Sequence, residues 1–113
     1  MNAETFVENY IMHDSLIDKV EADSAAKTVV MLIDFAFWMQ KDYVEGEPET
    51  GVLKVTFSNV SQCIMPSYAD WQAVSILETR IEEDAVLFAL LNDMTDDYSE
   101  IRIKAGSVTV ERI

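Results

Sequence analysis

The sequence predicts a mainly β single domain (1–113). We expect an antiparallel curved sheet, a sandwich or an open barrel of about seven strands, with a short N-terminal helix; an α+β layer is the runner-up. Three observations carry this reading. From residue 16 onward, apolar and polar residues alternate in short runs rich in Val, Ile and aromatics, the period of a pleated strand. The segments between those runs are too short for parallel crossovers, which need a dozen or more residues, so neighbouring strands pair antiparallel. The chain has 113 residues, half of them hydrophobic, with three Gly and two Pro. That suits one packed core and argues against disorder.

The elements follow in order. Asn2 is a helix cap, and residues 3 to about 12 form the helix, with Phe6 and Tyr10 on one face at the i, i+4 spacing. Residues 16–22 form a first strand, closed by the turn at Asp23 and Ser24. Residues 27–40 read as a central strand with two apolar faces, from Val29 and Val30 to Phe37 and Trp38. Residues 41–51 form an acidic loop around Pro48. Residues 52–58 alternate cleanly, with Leu53, Val55 and Phe57 on one side. Residues 59–65 continue as a bent or bulged strand that Pro66 ends. Residues 67–72 form a loop or one helical turn. Strands at 73–81 and 85–91 make a hairpin across the turn at Glu82, Glu83 and Asp84. After an acidic turn at 92–97, strands at 98–104 and 107–113 flank Ala105-Gly106, which reads as a tight hairpin turn.

Charge narrows the function classes. Eight basic residues face 21 acidic ones, a net charge of −13. Such a field repels nucleic-acid backbones and anionic membrane surfaces, so neither is an expected partner. It attracts a basic protein and speeds encounter with it, although acidity also serves solubility alone. The longest apolar run, 29–39, is broken by Asp34 and falls short of the about 20 residues that span a bilayer. The first residues carry Glu4 and Glu8 and lack the basic start of a secretory signal. Cys63 has no disulfide partner. Together these readings place the protein in the cytoplasm.

No motif assembles a reactive centre. His13, Asp14 and Ser15 have the residue types of a hydrolase triad, but adjacent residues cannot converge as a triad must. They read better as a helix-to-strand junction whose short polar side chains satisfy free backbone groups. One His and one Cys are too few for a zinc site. Asp93, Asp96, Asp97 and Glu100 lack the spacing of a calcium loop and read as a solvated turn. No cofactor and no metal are expected. Asp34, inside an apolar strand, is either a functional acid or a solvent-facing one. Trp38, Tyr43, Tyr68 and Trp71 flank the two longest connections. With the acids of the first, they would form a mixed patch suited to a protein partner, unless Trp38 belongs to the core.

The junction His13-Asp14-Ser15-Leu16-Ile17, the segment 57–61 and the Gly106-Ser107-Val108 turn resemble those of small bacterial β-domains. Some domains of that type are similar to immunity proteins, which block a toxin. The resemblance implies a binding role and supplies no catalytic residues.

Three functional expectations result. The first is a non-enzymatic module binding a basic protein, in one form an immunity-like inhibitor, through Asp42, Tyr43, Glu45, Glu47, Glu49, Tyr68 and Trp71. The second is a small-ligand-binding or enzymatic β-domain with a pocket near Asp34 and His13. The third is a structural homo-oligomer joined through an edge strand such as 107–113.

Overall fold

The computed structural model describes residues 1–67, 71 and 73–113. It is mainly β, with one antiparallel eight-stranded sheet and one short helix. The helix α1 spans Ala3–Asn9, about three residues shorter at its end than expected, because Tyr10 is already extended. Asn2 caps it, its side chain accepting the Thr5 N–H at 2.8 Å. The strands are β1 (Leu16–Asp23), β2 (Thr28–Ala36), β3 (Thr50–Ser58), β4 (Gln62–Ile64), β5 (Val74–Glu82), β6 (Ala85–Asn92), β7 (Tyr98–Lys104) and β8 (Ser107–Arg112).

The sheet order is β4-β7-β6-β5-β1-β2-β3-β8. Each end strand continues from the strand beside the opposite end: only residues 59–61 separate β3 from β4, and residues 105–106 separate β7 from β8. The sheet therefore curls until its ends meet. Gln62 to Ile64 pair with Lys104 to Arg102, and Leu53 to Ser58 pair with Arg112 to Ser107. These are two stretches of one bent antiparallel ribbon, interrupted at the corner. This corrects the reading of Ala105-Gly106 as a hairpin turn. β7 and β8 do not pair with each other; they run on in sequence past a corner where the Gly106 N–H donates to the Ser58 carbonyl at 2.9 Å. A two-residue turn and a two-residue corner carry the same residue types, so local sequence cannot separate them.

β1 and β5 meet at Leu16↔Ser75, and each has a register shift immediately afterwards, between Ile17 and Lys19 and between Ile76 and Glu78. Bulges of this kind bend strands and help a sheet close. Inside lies one core, with Phe57, Phe88, Met31, Ile33 and Leu90 among its fully buried side chains. α1 stops one end of it. Phe6 is fully buried and meets Phe57 edge-on at 5.8 Å and Phe88 at 6.2 Å.

The strand expected over 27–40 ends at Ala36, where Phe37–Met39 turn in a 3-10 helix. β2 is central, between β1 and β3, but its pattern alternates, burying Val29, Met31, Ile33 and Phe35 and leaving their neighbours half-buried.

Candidate functional site

The helix end of the barrel carries a groove, and Gln40 builds it. As the chain leaves β2, the Gln40 side chain accepts the Ile11 N–H at 2.9 Å and donates to the Ile11 carbonyl at 2.8 Å and the Ala36 carbonyl at 2.9 Å. One side chain thus ties the end of the α1 segment to the turn after β2. Phe37 packs against the start of β3, where Gly51 makes room: a Cβ there would sit 2.6 Å from the Phe37 ring. Phe35 meets Phe37 edge-on at 5.4 Å, and the Arg112 guanidinium lies 4.0 Å above the Phe37 ring centre.

The result is an open groove of about 630 Å³. Tyr10, Phe35, Phe37, Leu53 and Val110 are its apolar part, and Glu8, Gln40, Lys41, Asp42 and Arg112 supply polar groups. A smaller hollow of about 90 Å³ continues it past Phe37 and Gln40 to Tyr43, Glu47 and Pro48.

The loop beyond is held by its own contacts. The Tyr43 hydroxyl donates to the Glu47 carbonyl at 3.0 Å, and the Glu47 carboxylate accepts the Val44 N–H at 2.9 Å. The Trp38 N–H donates to the Glu49 carbonyl at 3.1 Å. This corrects the core reading of Trp38: it lies past the end of β2 in the 3-10 turn, on the opposite phase from the buried Val29, Met31, Ile33 and Phe35, and it is 46% exposed. Val44 on the same loop is also exposed. Among the described residues, Asp42, Glu45, Glu47 and Glu49 form no ion pair.

The outer face of β5, β6 and β7 differs. There Arg80 pairs with Glu78 at 2.7 Å, Glu82 at 3.4 Å and Glu100 at 3.5 Å, and Arg102 pairs with Glu82 at 2.8 Å. The hydrogen bond from Arg102 holds the Glu82 carboxyl below its usual range, more than desolvation raises it. Acids on this face are locally compensated, whereas those of the 42–49 loop are exposed and, among the described residues, form no ion pair.

The other sequence candidates lie apart from the groove. Asp34 faces outward between buried Ile33 and Phe35 and neighbours Asp18, whose carboxyl is raised first by burial and then by the Asp34 charge. His13 Nδ1 lies 2.7 Å from the Leu77 carbonyl, and its Nε2 lies 3.5 Å from Asp14. Ser15 is fully buried and its Oγ accepts the Ala36 N–H at 3.0 Å, so it is a structural contact. Neither His13 nor Asp34 lines the groove. Trp71 packs partly buried against the core ahead of β5 and lines neither hollow, while Tyr68 lies outside the described residues. Cys63 packs against the core, and burial pushes its thiol up. Among the described residues no group of three or more His, Cys, Asp or Glu could hold a metal ion, and no helix is long and apolar enough to cross a membrane.

Sequence reasoning missed Tyr10, Phe37, Gln40 and Arg112 as one constellation. The signal for Arg112 was present: it shares the phase of inward-facing Val108 and Val110. Gln40 had none, because two of its three bonds go to Ile11, 29 residues away in the chain.

Fold and site define a class, a helix-stoppered antiparallel barrel with an aromatic groove beside an acidic loop. No family model matches the chain, and neither a curated protein nor a solved structure is significantly similar to it.

Proposed function

We propose that this chain is a non-enzymatic, cytoplasmic protein-binding module that takes a basic partner on the helix end of its barrel. The observation that carries this reading is Trp38, 46% exposed and bonded through its backbone to a loop whose acids are unpaired among the described residues. A large aromatic left in water is costly unless another surface covers it, and Trp is the residue most enriched among binding hot spots. The acids around it supply steering, and the aromatic supplies affinity after contact. In the immunity-like form of this reading, the partner is a basic toxin held inactive by the covered surface.

Acidity for solubility alone is the competing explanation, and the two differ in where a cation binds. Isotope-labelled protein titrated with octalysine tests this by NMR. The proposal expects the Trp38 indole N–H and residues 42–49 to shift first and farthest. Equal shifts at the acidic turns 82–84 and 93–97 would refute it. Trp38→Ala is expected to weaken capture of a tryptophan-contacting basic partner by about 2 kcal/mol, roughly thirty-fold.

A further inference from the structure

β8 has one edge that its own sheet leaves open. The Ile113 N–H donates to the Val52 carbonyl at 3.0 Å, which sets the phase of the β3–β8 ladder. Pairs two residues apart repeat that pattern, so Glu111 and Thr109 bond to β3. Val108, Val110 and Arg112 stand in the alternate, non-bonded pairs with Phe57, Val55 and Leu53. Their N–H and carbonyl groups therefore point away from β3.

At Val108 that edge is already used in strand fashion. The Val108 N–H donates to the Met1 carbonyl at 2.8 Å, and the Met1 amino group donates to the Val108 carbonyl at 2.8 Å. Two residues on, nothing continues it. Among the described residues no backbone bond reaches Val110 or Arg112 from that side. Both residues instead border the groove, whose apolar part lies on the side to which Val108 and Val110 turn.

We infer that the β8 edge at Val110 and Arg112 is a strand-addition site for an extended basic segment of the partner, an inference that rests on the docking reading above. Main-chain bonds to Val110 and Arg112 supply the affinity of such additions. Alternate apolar side chains of the guest fill the space between Tyr10, Phe35, Phe37 and Val110, and the intervening side chains face outward. Charge selects the guest. In the groove itself Glu8 and Asp42 are balanced by Lys41 and Arg112, so the preference comes from Glu111, which faces out from β8, and from the whole chain's charge of −13. The same charge opposes pairing of this edge with a second copy of the chain.

The test uses a labelled Lys-Val-Lys-Val-Lys-Val peptide, read by fluorescence anisotropy on the full chain. It is expected to bind, and a Glu-Val-Glu-Val-Glu-Val peptide is not; equal binding of both overturns the choice of guest. Methylating every second backbone nitrogen of the peptide in one phase is expected to cost at least about ten-fold, and in the other phase little. Val110→Pro removes the outward N–H while sparing every N–H donated to β3, and is expected to cost a similar factor. Tolerance of both methylated peptides overturns strand addition, whether or not the proline variant folds. If that tolerance comes with octalysine shifts still centred on Trp38, the docking reading survives alone; if those shifts are absent, both readings fail. A dimer of the unliganded chain that Val110→Pro dissociates would put a second copy on this edge and overturn the basic guest.

Discussion

Phe6→Ala is the most informative single perturbation of the fold. Phe6 is fully buried, and its ring lies 5.8 Å from Phe57, 6.2 Å from Phe88 and 5.7 Å from Tyr10. Deleting a buried phenyl ring costs about 3–5 kcal/mol from lost transfer energy and the cavity left behind. The loss of aromatic pair geometry places this site toward the upper end. The wall around the cavity is a bonded sheet, which collapses poorly, and that acts in the same direction. One relief remains, undocking of α1. A seven-residue helix is too short to persist alone, so undocking would unwind it and expose Met12, which caps the same end of the core. Either route lowers stability by about 3–5 kcal/mol, a large share of the about 5–15 kcal/mol typical of a domain. The midpoint of thermal unfolding should fall by about 12–20 °C. Urea unfolding followed by far-ultraviolet circular dichroism measures the change, with Val7→Ala, on the half-buried side of the helix, as a milder comparison. A loss below about 1 kcal/mol would refute the claim that α1 is the stopper of the barrel rather than an ornament on it.

Other outcomes follow from single contacts. Ser15→Ala strands the buried Ala36 N–H and should cost about 1–3 kcal/mol in chemical denaturation, while leaving the helix end otherwise intact. The Asp18 carboxyl is raised above its ordinary value of 3.8, so the native state holds that proton more tightly than the unfolded chain does. Stability should therefore fall as pH rises from 3.8 through the raised value, and Asp18→Asn should remove that slope and increase stability at neutral pH. An unchanged pH profile of denaturation midpoints would contradict it. Gly51→Ala would place a methyl 2.6 Å from the Phe37 ring. Displacing that ring should cost about 1–3 kcal/mol and weaken binding of the valine-lysine peptide, both measurable on one preparation.

The strands were legible because burial imposes a period of two. Leu53, Val55 and Phe57 in β3, and Ile101 and Ile103 in β7, alternate in the sequence and are buried in the fold. Closure of the sheet was not legible. It depends on Asn59 and Gly106 meeting at a corner between segments about fifty residues apart, and local residue preferences carry no such information. The same limit hid the exposure of Trp38. Phe35, Phe37 and Trp38 look alike as apolar residues in one run, yet the chain leaves the ladder after Ala36: Phe35 is buried, Phe37 packs partly buried against the core, and Trp38 is exposed. Of the expected docking residues, Asp42, Tyr43 and Glu47 do share one hollow. Their shared place follows from loop bonds between near neighbours, which a compact acidic loop around Pro48 foreshadows. Connection length alone places Trp71 with them, and length does not fix where a connection lies.

Location, not amount, of charge is what separates a docking surface from a soluble coat. Two triple variants make the comparison at equal charge: Asp42→Asn with Glu45→Gln and Glu49→Gln, and Glu83→Gln with Asp84→Asn and Asp97→Asn. Glu47 is left alone because its carboxylate holds the loop through Val44. Affinity for the valine-lysine peptide, measured at low salt, should drop about ten-fold further in the first variant than in the second. Equal losses would contradict the account, because the acids beside Trp38 would then act only through the net charge of the whole chain.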